Sequence, residues 1–387
     1  MTVIETDKNY IANTYARFPV TLVSGHGSTA VDENGKEYID MGSGIGVNVF
    51  GYCDKEWADA VSEQLHTIQH TSNLYYTVPG AELAEILCKK SGMKKCFFGN
   101  SGAEANECAI KTARKYSLDK YNNPERNVIV SLNQSFHGRT LATLTATGQD
   151  SFHTTFGPFP EGFEYSPAND FDALKAVCND NVCAIMMEIV QGEGGVITLD
   201  KIFIEKVYEF CKKSDILLII DEVQTGNGRT GRMYAYQNFD ILPDIVSTAK
   251  GIAGGLPMGV CMFGEKTADT LTPGTHGSTY GMNPVVAAGA LNVVKRLDDD
   301  FLNEVIRKSQ YIQKRLSTCK NVKSVSGMGL MLGIETTKDS KAVVSACIEK
   351  GVLPLTAKNK IRLLPPLNIS DEELTKAMDI ITEVIEE

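Results

Sequence analysis

This sequence holds ten cysteines but no Cys-x-x-Cys pair; most sit in apolar segments such as Val182-Cys183-Ala184-Ile185 and Val260-Cys261-Met262. Neither a zinc ribbon nor a disulfide framework is indicated, and the thiols read as small core hydrophobes in a reducing compartment. No apolar run approaches the roughly 20 residues that cross a bilayer. A basic excess is missing too. The net charge of −10 argues against a nucleic-acid surface or an anionic membrane as partner. The first residues, with Glu5, Asp7 and Lys8 among them, hold no signal-peptide core, so a cytoplasmic location is expected. What remains is 43% hydrophobic and 22% charged over 387 residues, the composition of a globular chain with room for two or three domains.

Short strand-like runs alternate with amphipathic helical patterns through the middle of the chain. Cys96-Phe97-Phe98, Val128-Ile129-Val130, Ala184 to Met187, Ile216 to Ile220 and Ile245-Val246 read as strands. That alternation predicts an α/β sheet covered by helices on both faces, with ligands bound at the carboxyl ends of its strands. After Pro284 come a long helical stretch carrying Leu302, Val305, Ile306, Ile312 and Leu316, and strand signals at Leu330 to Ile334 and Ile361 to Leu364. A last helix opens with the capping box Ser370-x-x-Glu373. The expected division is therefore a large domain over 56–284 and a smaller C-terminal domain over 285–387. Residues 1–55, with a hairpin from Ala30 to Ile39, are expected to join the smaller one.

Two residues carry the chemistry. The strongest strand signal, Ile216 to Ile220, ends abruptly in Asp221, and Lys250 follows the run Ile245-Val246 in a loop of small residues. Pyridoxal phosphate needs a lysine for its Schiff base and an anion against its pyridinium nitrogen. Its phosphate has a candidate home in Gly99-Asn100-Ser101-Gly102-Ala103-Glu104, where a helix N-terminus exposes unpaired N–H groups; Ser101-x-x-Glu104 also reads as a plain capping box. Phe136 could stack on the cofactor ring, and the Arg139 fork suits a substrate carboxylate. In His276-Gly277-Ser278-Thr279, the Thr279 hydroxyl offers a further phosphate contact. Two patterns lead elsewhere. Gly226-Asn227-Gly228-Arg229-Thr230-Gly231 fits G-x-G-x-x-G, but five residues separate it from the strand and no clear helix follows, as dinucleotide binding would require. His66 and His70 stand at i and i+4 of an expected helix, with no third metal ligand evident.

Taken together, these segments resemble the class III, ω-amino-acid branch of the fold-type-I pyridoxal-phosphate aminotransferases, over almost the whole length. The motifs include Thr71-Ser72-Asn73-Leu74-Tyr75-Tyr76, Phe136-His137-Gly138-Arg139-Thr140, Val190-Gln191-Gly192-Glu193-Gly194-Gly195, Asp221-Glu222-Val223-Gln224-Thr225-Gly226, Ala249-Lys250-Gly251 and Arg362-Leu363-Leu364-Pro365-Pro366-Leu367. The resemblance implies a mostly parallel seven-stranded sheet, pyridoxal 5'-phosphate as cofactor, and a homodimer with shared sites. It assigns Lys250 to the Schiff base and to proton transfer. Asp221 falls to the ring nitrogen, Gln224 to the ring 3-oxygen, Phe136 to the ring face, and Ser101, Gly102 and Ala103 to the phosphate. Thr279 would complete the phosphate cup of the neighbouring subunit. Arg139, Arg362 and Ser278 would bind substrate, with Glu193 as a removable partner that neutralises Arg362 while the amine donor is bound.

The expected reaction is a ping-pong transfer of the δ-amine of N-acetylornithine to 2-oxoglutarate; the segment Ser43 to Asn48 lacks the tyrosine that ornithine δ-aminotransferases place nearby, which favours an N-acylated donor over free ornithine. Ornithine, succinylornithine and 4-aminobutyrate are the alternative donors, and a non-catalytic binding protein is the alternative class. Two departures, Ile189 for a proline and Gly51-Tyr52-Cys53-Asp54 for Gly-His-Cys-His, are expected near the site.

Overall fold

A computed structural model describes residues 1–387. Strands β1 (Leu22–His26), β2 (Thr29–Asp32) and β3 (Glu37–Asp40) form an antiparallel meander near the start of the chain. The central strands follow: β4 (Lys95–Gly99), β5 (Val128–Leu132), β6 (Phe163–Ser166), β7 (Val182–Met187), the short pair β8 (Val190–Gln191) and β9 (Ile197–Thr198), β10 (Leu217–Asp221), β11 (Ile245–Thr248) and β12 (Gly259–Phe263). The last strands are β13 (Val322–Met328), β14 (Met331–Thr336), β15 (Val352–Leu353), β16 (Leu355–Ala357) and β17 (Lys360–Leu363).

Seven strands make the central sheet, in the order β4-β12-β11-β10-β7-β5-β6. β12 alone runs against both neighbours, and the other pairings are parallel. β7, β10 and β12 are buried at every position, as strands covered on both faces must be. Their alternate side chains enter two separate cores: Leu218, Ile220, Ile185 and Met187 go to the larger, and Leu217, Ile219, Ala184 and Met186 to the smaller. This is the two-residue period of a strand. The smaller core lies under the helix Gly102–Tyr121, which contributes Cys108, Ala109 and Ala113. Continuing the alternation, Asp221 points toward that same helix.

Of the seven strands, β6 and β12 are absent from the sequence reading. β6 is short and reads Phe-Glu-Tyr-Ser, while β12 begins at a glycine that tight packing requires. A Cβ on Gly259 would lie 1.9 Å from the Ser101 carbonyl oxygen. The expected helix holding both His66 and His70 ends at Thr67, so the two imidazoles do not share a face. No group of three or more His, Cys, Asp or Glu could hold a metal, and no helix is long and apolar enough to cross a membrane.

A second sheet has the order β13-β14-β17-β16, and β15 pairs in parallel with β3, bonding the first strands to the C-terminal segment. The helix Pro284–Arg296 packs on the helices Lys55–Thr67 and Val78–Ser91 and on the turn Lys250–Ala253. That turn is also held by the only tryptophan, because the Trp57 indole N–H donates to Ala253 O at 3.2 Å.

Candidate active site

Six of the seven central strands point their carboxyl ends to one rim, and β12 starts there. A cavity of about 450 Å³ opens at that rim, where such sheets bind ligands. Its walls include Ser101, Gly102 and Ala103 after β4, Phe136 and Arg139 after β5, Glu188 after β7, Asp221 and Gln224 from β10 onward, and Lys250 after β11. Eight of the twelve expected site residues therefore meet in one place.

Asp221 is almost fully buried, and three donors converge on its carboxylate. Asn106 Nδ2 donates to Oδ2 at 2.7 Å, His137 Nδ1 lies 2.8 Å from the same oxygen, and the Val223 N–H donates to Oδ1 at 2.9 Å. An ionised carboxylate only accepts, so His137 carries its hydrogen on Nδ1. Asn106 Nδ2 also donates to the His137 carbonyl at 2.7 Å, which locks the loop and the acid together. Neither Asn106 nor His137 was assigned a role from sequence. Asn106 is a polar residue on the buried side of a helix face that otherwise carries Ala105, Cys108 and Ala109, and that mismatch was the available signal.

Lys250 is half-buried and faces the cavity. Its backbone is left-handed, at φ 47°, a conformation that costs a non-glycine residue about 1 kcal/mol or more. Burial pulls the ammonium down to about 8; Glu193, Asp221 and Glu188 oppose the shift and Arg362 adds to it. Only the neutral amine is a nucleophile. Because the cation is the disfavoured form, the neutral fraction becomes dominant above about pH 8, where an exposed lysine, near about 10.4, is still charged. Reductive methylation of the cofactor-free protein, followed by peptide mass mapping, is expected to modify Lys250 with a midpoint near pH 8. A midpoint above about 10 would show that the amine is solvated after all.

Arg362, on β17, is buried and donates from Nη1 to Glu193 Oε1 at 2.5 Å and to Gln224 Oε1 at 3.3 Å. Its Nε has no partner. Burial is the largest single influence and would raise the Glu193 carboxyl, but the charge and hydrogen bond of Arg362, with the Lys250 charge and a Gln224 hydrogen bond, together bring it below the ordinary range. Glu193 sits in the β8–β9 turn and is about one-third exposed, whereas the Arg362 side chain is buried. The pair stands behind Gln224 rather than on the cavity wall.

At the other end, the helix Gly102–Tyr121 opens with Ser101 Oγ accepting the Glu104 N–H at 3.2 Å. The expected capping box is altered, because the Glu104 carboxylate accepts from the Asn100 N–H and Asn100 Nδ2 instead. The Gly102 and Ala103 amides lie before any helical carbonyl can reach them and line the cavity. A Cβ on Gly102 would lie 2.7 Å from Val223. A phosphate-sized anion suits this end.

Ser278 and Thr279 are not brought into the cavity. Ser278 Oγ accepts from Asn100 Nδ2 at 3.1 Å and from the Gly281 N–H at 3.0 Å, and Thr279 is exposed. Of the two departures, Ile189 is a core residue rather than a site residue. Tyr52 lines a smaller cavity of about 180 Å³ that shares Gly255 and Leu256 with the main one. Arg229, in the glycine-rich decoy, is buried and donates to Leu330 O and Pro365 O; that loop is a structural joint.

Glu188 was not assigned either. It accepts from the Phe136 N–H at 2.9 Å and the Gly192 N–H at 3.2 Å. Burial pushes it up to about 7, against the pull of His137.

A sequence model described as Aminotransferase class-III matches residues 10–385. The chain is 52% identical to a Haemophilus ducreyi protein named acetylornithine aminotransferase, over 99% of this chain and 98% of the other. It is 42% identical to a protein of the same name from Methanocaldococcus jannaschii, over 99% of this chain and 98% of the other. Among solved structures, an N-acetylornithine aminotransferase from Stenotrophomonas maltophilia superposes with TM-score 0.86 at 33% identity, covering 99% of this chain and 98% of that one. An ornithine aminotransferase from Toxoplasma gondii superposes with TM-score 0.94 at 30% identity, covering 99% and 94%.

Proposed function

The chain belongs to the class-III aminotransferase family, and we propose that within it the δ-amino group of N2-acetyl-L-ornithine is moved to 2-oxoglutarate. The products are N-acetyl-L-glutamate 5-semialdehyde and L-glutamate, as in arginine biosynthesis. The observation that carries the reaction class is one half-buried amine, Lys250, lining the same cavity as a carboxylate that accepts three hydrogen bonds and a helix N-terminus. The donor rests on the names of the relatives and on Val47, the cavity-lining residue of a segment without tyrosine.

The cofactor is pyridoxal 5'-phosphate, and the donor set fits it: unpaired amides for the phosphate, an amine for the aldehyde, a carboxylate for the ring nitrogen. When bound, it supplies a carbonyl that condenses with amines and a ring that accepts electron density. Ser101, Gly102 and Ala103 would hold the phosphate, Phe136 would cover one ring face, and Gln224 would donate from the Nε2 that Arg362 leaves free. Lys250, once released, would carry the proton to and from the reacting carbon as a general acid and base. Arg139 would take the carboxylate of the amine donor, and Glu193 would screen Arg362 during that half of the cycle. With glutamate or 2-oxoglutarate, Glu193 would move off and Arg362 would grip the second carboxylate. This exchange lets one cavity serve both substrates in turn.

A homodimer is the assembly we favour. Leu74, Tyr75, Tyr76 and Val78 form an exposed apolar stretch, the nearby Asn73 donates to Ser278 O and Gly281 O, and Thr279 is exposed and does not line its own cavity. A contiguous patch of this kind marks an interaction surface, and the location we infer is the cytoplasm. The deciding experiment is kcat/KM for acetylornithine, succinylornithine, ornithine and 4-aminobutyrate with 2-oxoglutarate. We expect acetylornithine to lead; a strong preference for free ornithine would overturn the donor.

A further inference from the structure

Arg139 lines the cavity and is exposed, yet no ion pair or hydrogen bond holds its guanidinium. Two aromatic rings fix it. It lies 4.5 Å from the centroid of Phe152 and 5.5 Å from that of Phe136. The two rings meet edge to face, 6.0 Å apart at 65°. Phe152 closes the turn Asp150–Phe152 and is half-buried. The next residue pins that turn, since His153 Nε2 is 2.9 Å from the Leu144 carbonyl.

We propose that Phe152 is a positioning residue, whose ring holds the Arg139 guanidinium at the cavity mouth with every N–H free for an incoming carboxylate. The inference rests on the carboxylate role given above to Arg139 and adds how that role is set up. A carboxylate or carbonyl partner would orient the arginine just as well, but would consume the donors that substrate needs. A ring face attracts the cation without taking a hydrogen bond. An unrestrained arginine also loses rotamer freedom when it captures a ligand, and stacking removes part of that loss beforehand.

The probe is N2-acetyl-L-norvaline, the proposed donor without its δ-amine, titrated calorimetrically into the cofactor-loaded protein. Phe152→Ala and Phe152→Leu are each expected to raise its Kd about 3- to 10-fold. Phe152→Tyr, which keeps the ring, should stay within about twofold. In steady state the same variants should raise KM for acetylornithine with little change in kcat. They should leave kcat/KM unaltered for 4-acetamidobutylamine, the donor without its carboxylate. Equal losses on both amines would mean a merely structural residue and would overturn the proposal. So would an unchanged Kd in Phe152→Leu when Arg139→Ala weakens norvaline binding. If Arg139→Ala itself leaves that Kd unchanged, the carboxylate role of Arg139 falls first, and this inference falls with it.

Discussion

Lys250→Ala is expected to lower turnover by at least about 10⁴-fold. Two functions vanish together, the amine that engages the cofactor and the base that moves the proton, and no other lysine lines the cavity to replace either. The loss should not come from unfolding. Alanine tolerates the left-handed φ of 47° no better and no worse than lysine, and deleting an amine that burial holds down to about 8 relieves desolvation. We therefore expect a thermal midpoint no lower than that of the parent protein, together with retained phosphate and ring contacts. Steady-state rates beside a melting curve check both halves. Full activity in the variant would take Lys250 out of the mechanism.

Asp221→Asn is expected to cost about 10²- to 10³-fold in kcat, the scale of removing one preorganised electrostatic contact. The substitution keeps the shape and deletes the charge. It also breaks the donor arithmetic, because Asn106, His137 and Val223 all donate to this side chain. Whichever way the amide turns, its own NH2 faces at least one of them. One buried donor is left unsatisfied, which costs about 1–3 kcal/mol. Unlike Lys250→Ala, this variant should thus lose stability as well as rate. Unaltered kcat would mean that the carboxylate charge plays no part in the chemistry.

Much of this site was legible because its two key residues end strong local signals. A buried run such as Leu217 to Ile220 that stops at an acid, and a lysine among small residues after a second strand, announce themselves within a few positions. The supporting shell does not. His137 lies 84 residues before Asp221 and Asn106 lies 115 before it, so no spacing connects them, and only the sheet brings them together. Glu188 follows an uninterrupted apolar run and comes directly after the last residue of its strand, but its bonds to the Phe136 and Gly192 amides depend on two loops whose paths the sequence leaves open. β12 shows in the sequence only as the apolar segment Val260-Cys261-Met262, and its antiparallel insertion between β4 and β11 depends on a long-range pairing that no local pattern announces. The placements of Ser278 and Thr279 outside the cavity follow from a loop anchored by Asn73 and Asn100, contacts that span most of the central region.

The bond from Trp57 to Ala253 has a practical use. With fourteen tyrosines but a single tryptophan, excitation at the red edge of protein absorbance addresses one indole, hydrogen-bonded to Ala253, the last residue of the Lys250 turn. Its emission is a built-in optical gauge of that turn, able to follow ligand arrival in the unlabelled protein on a stopped-flow timescale.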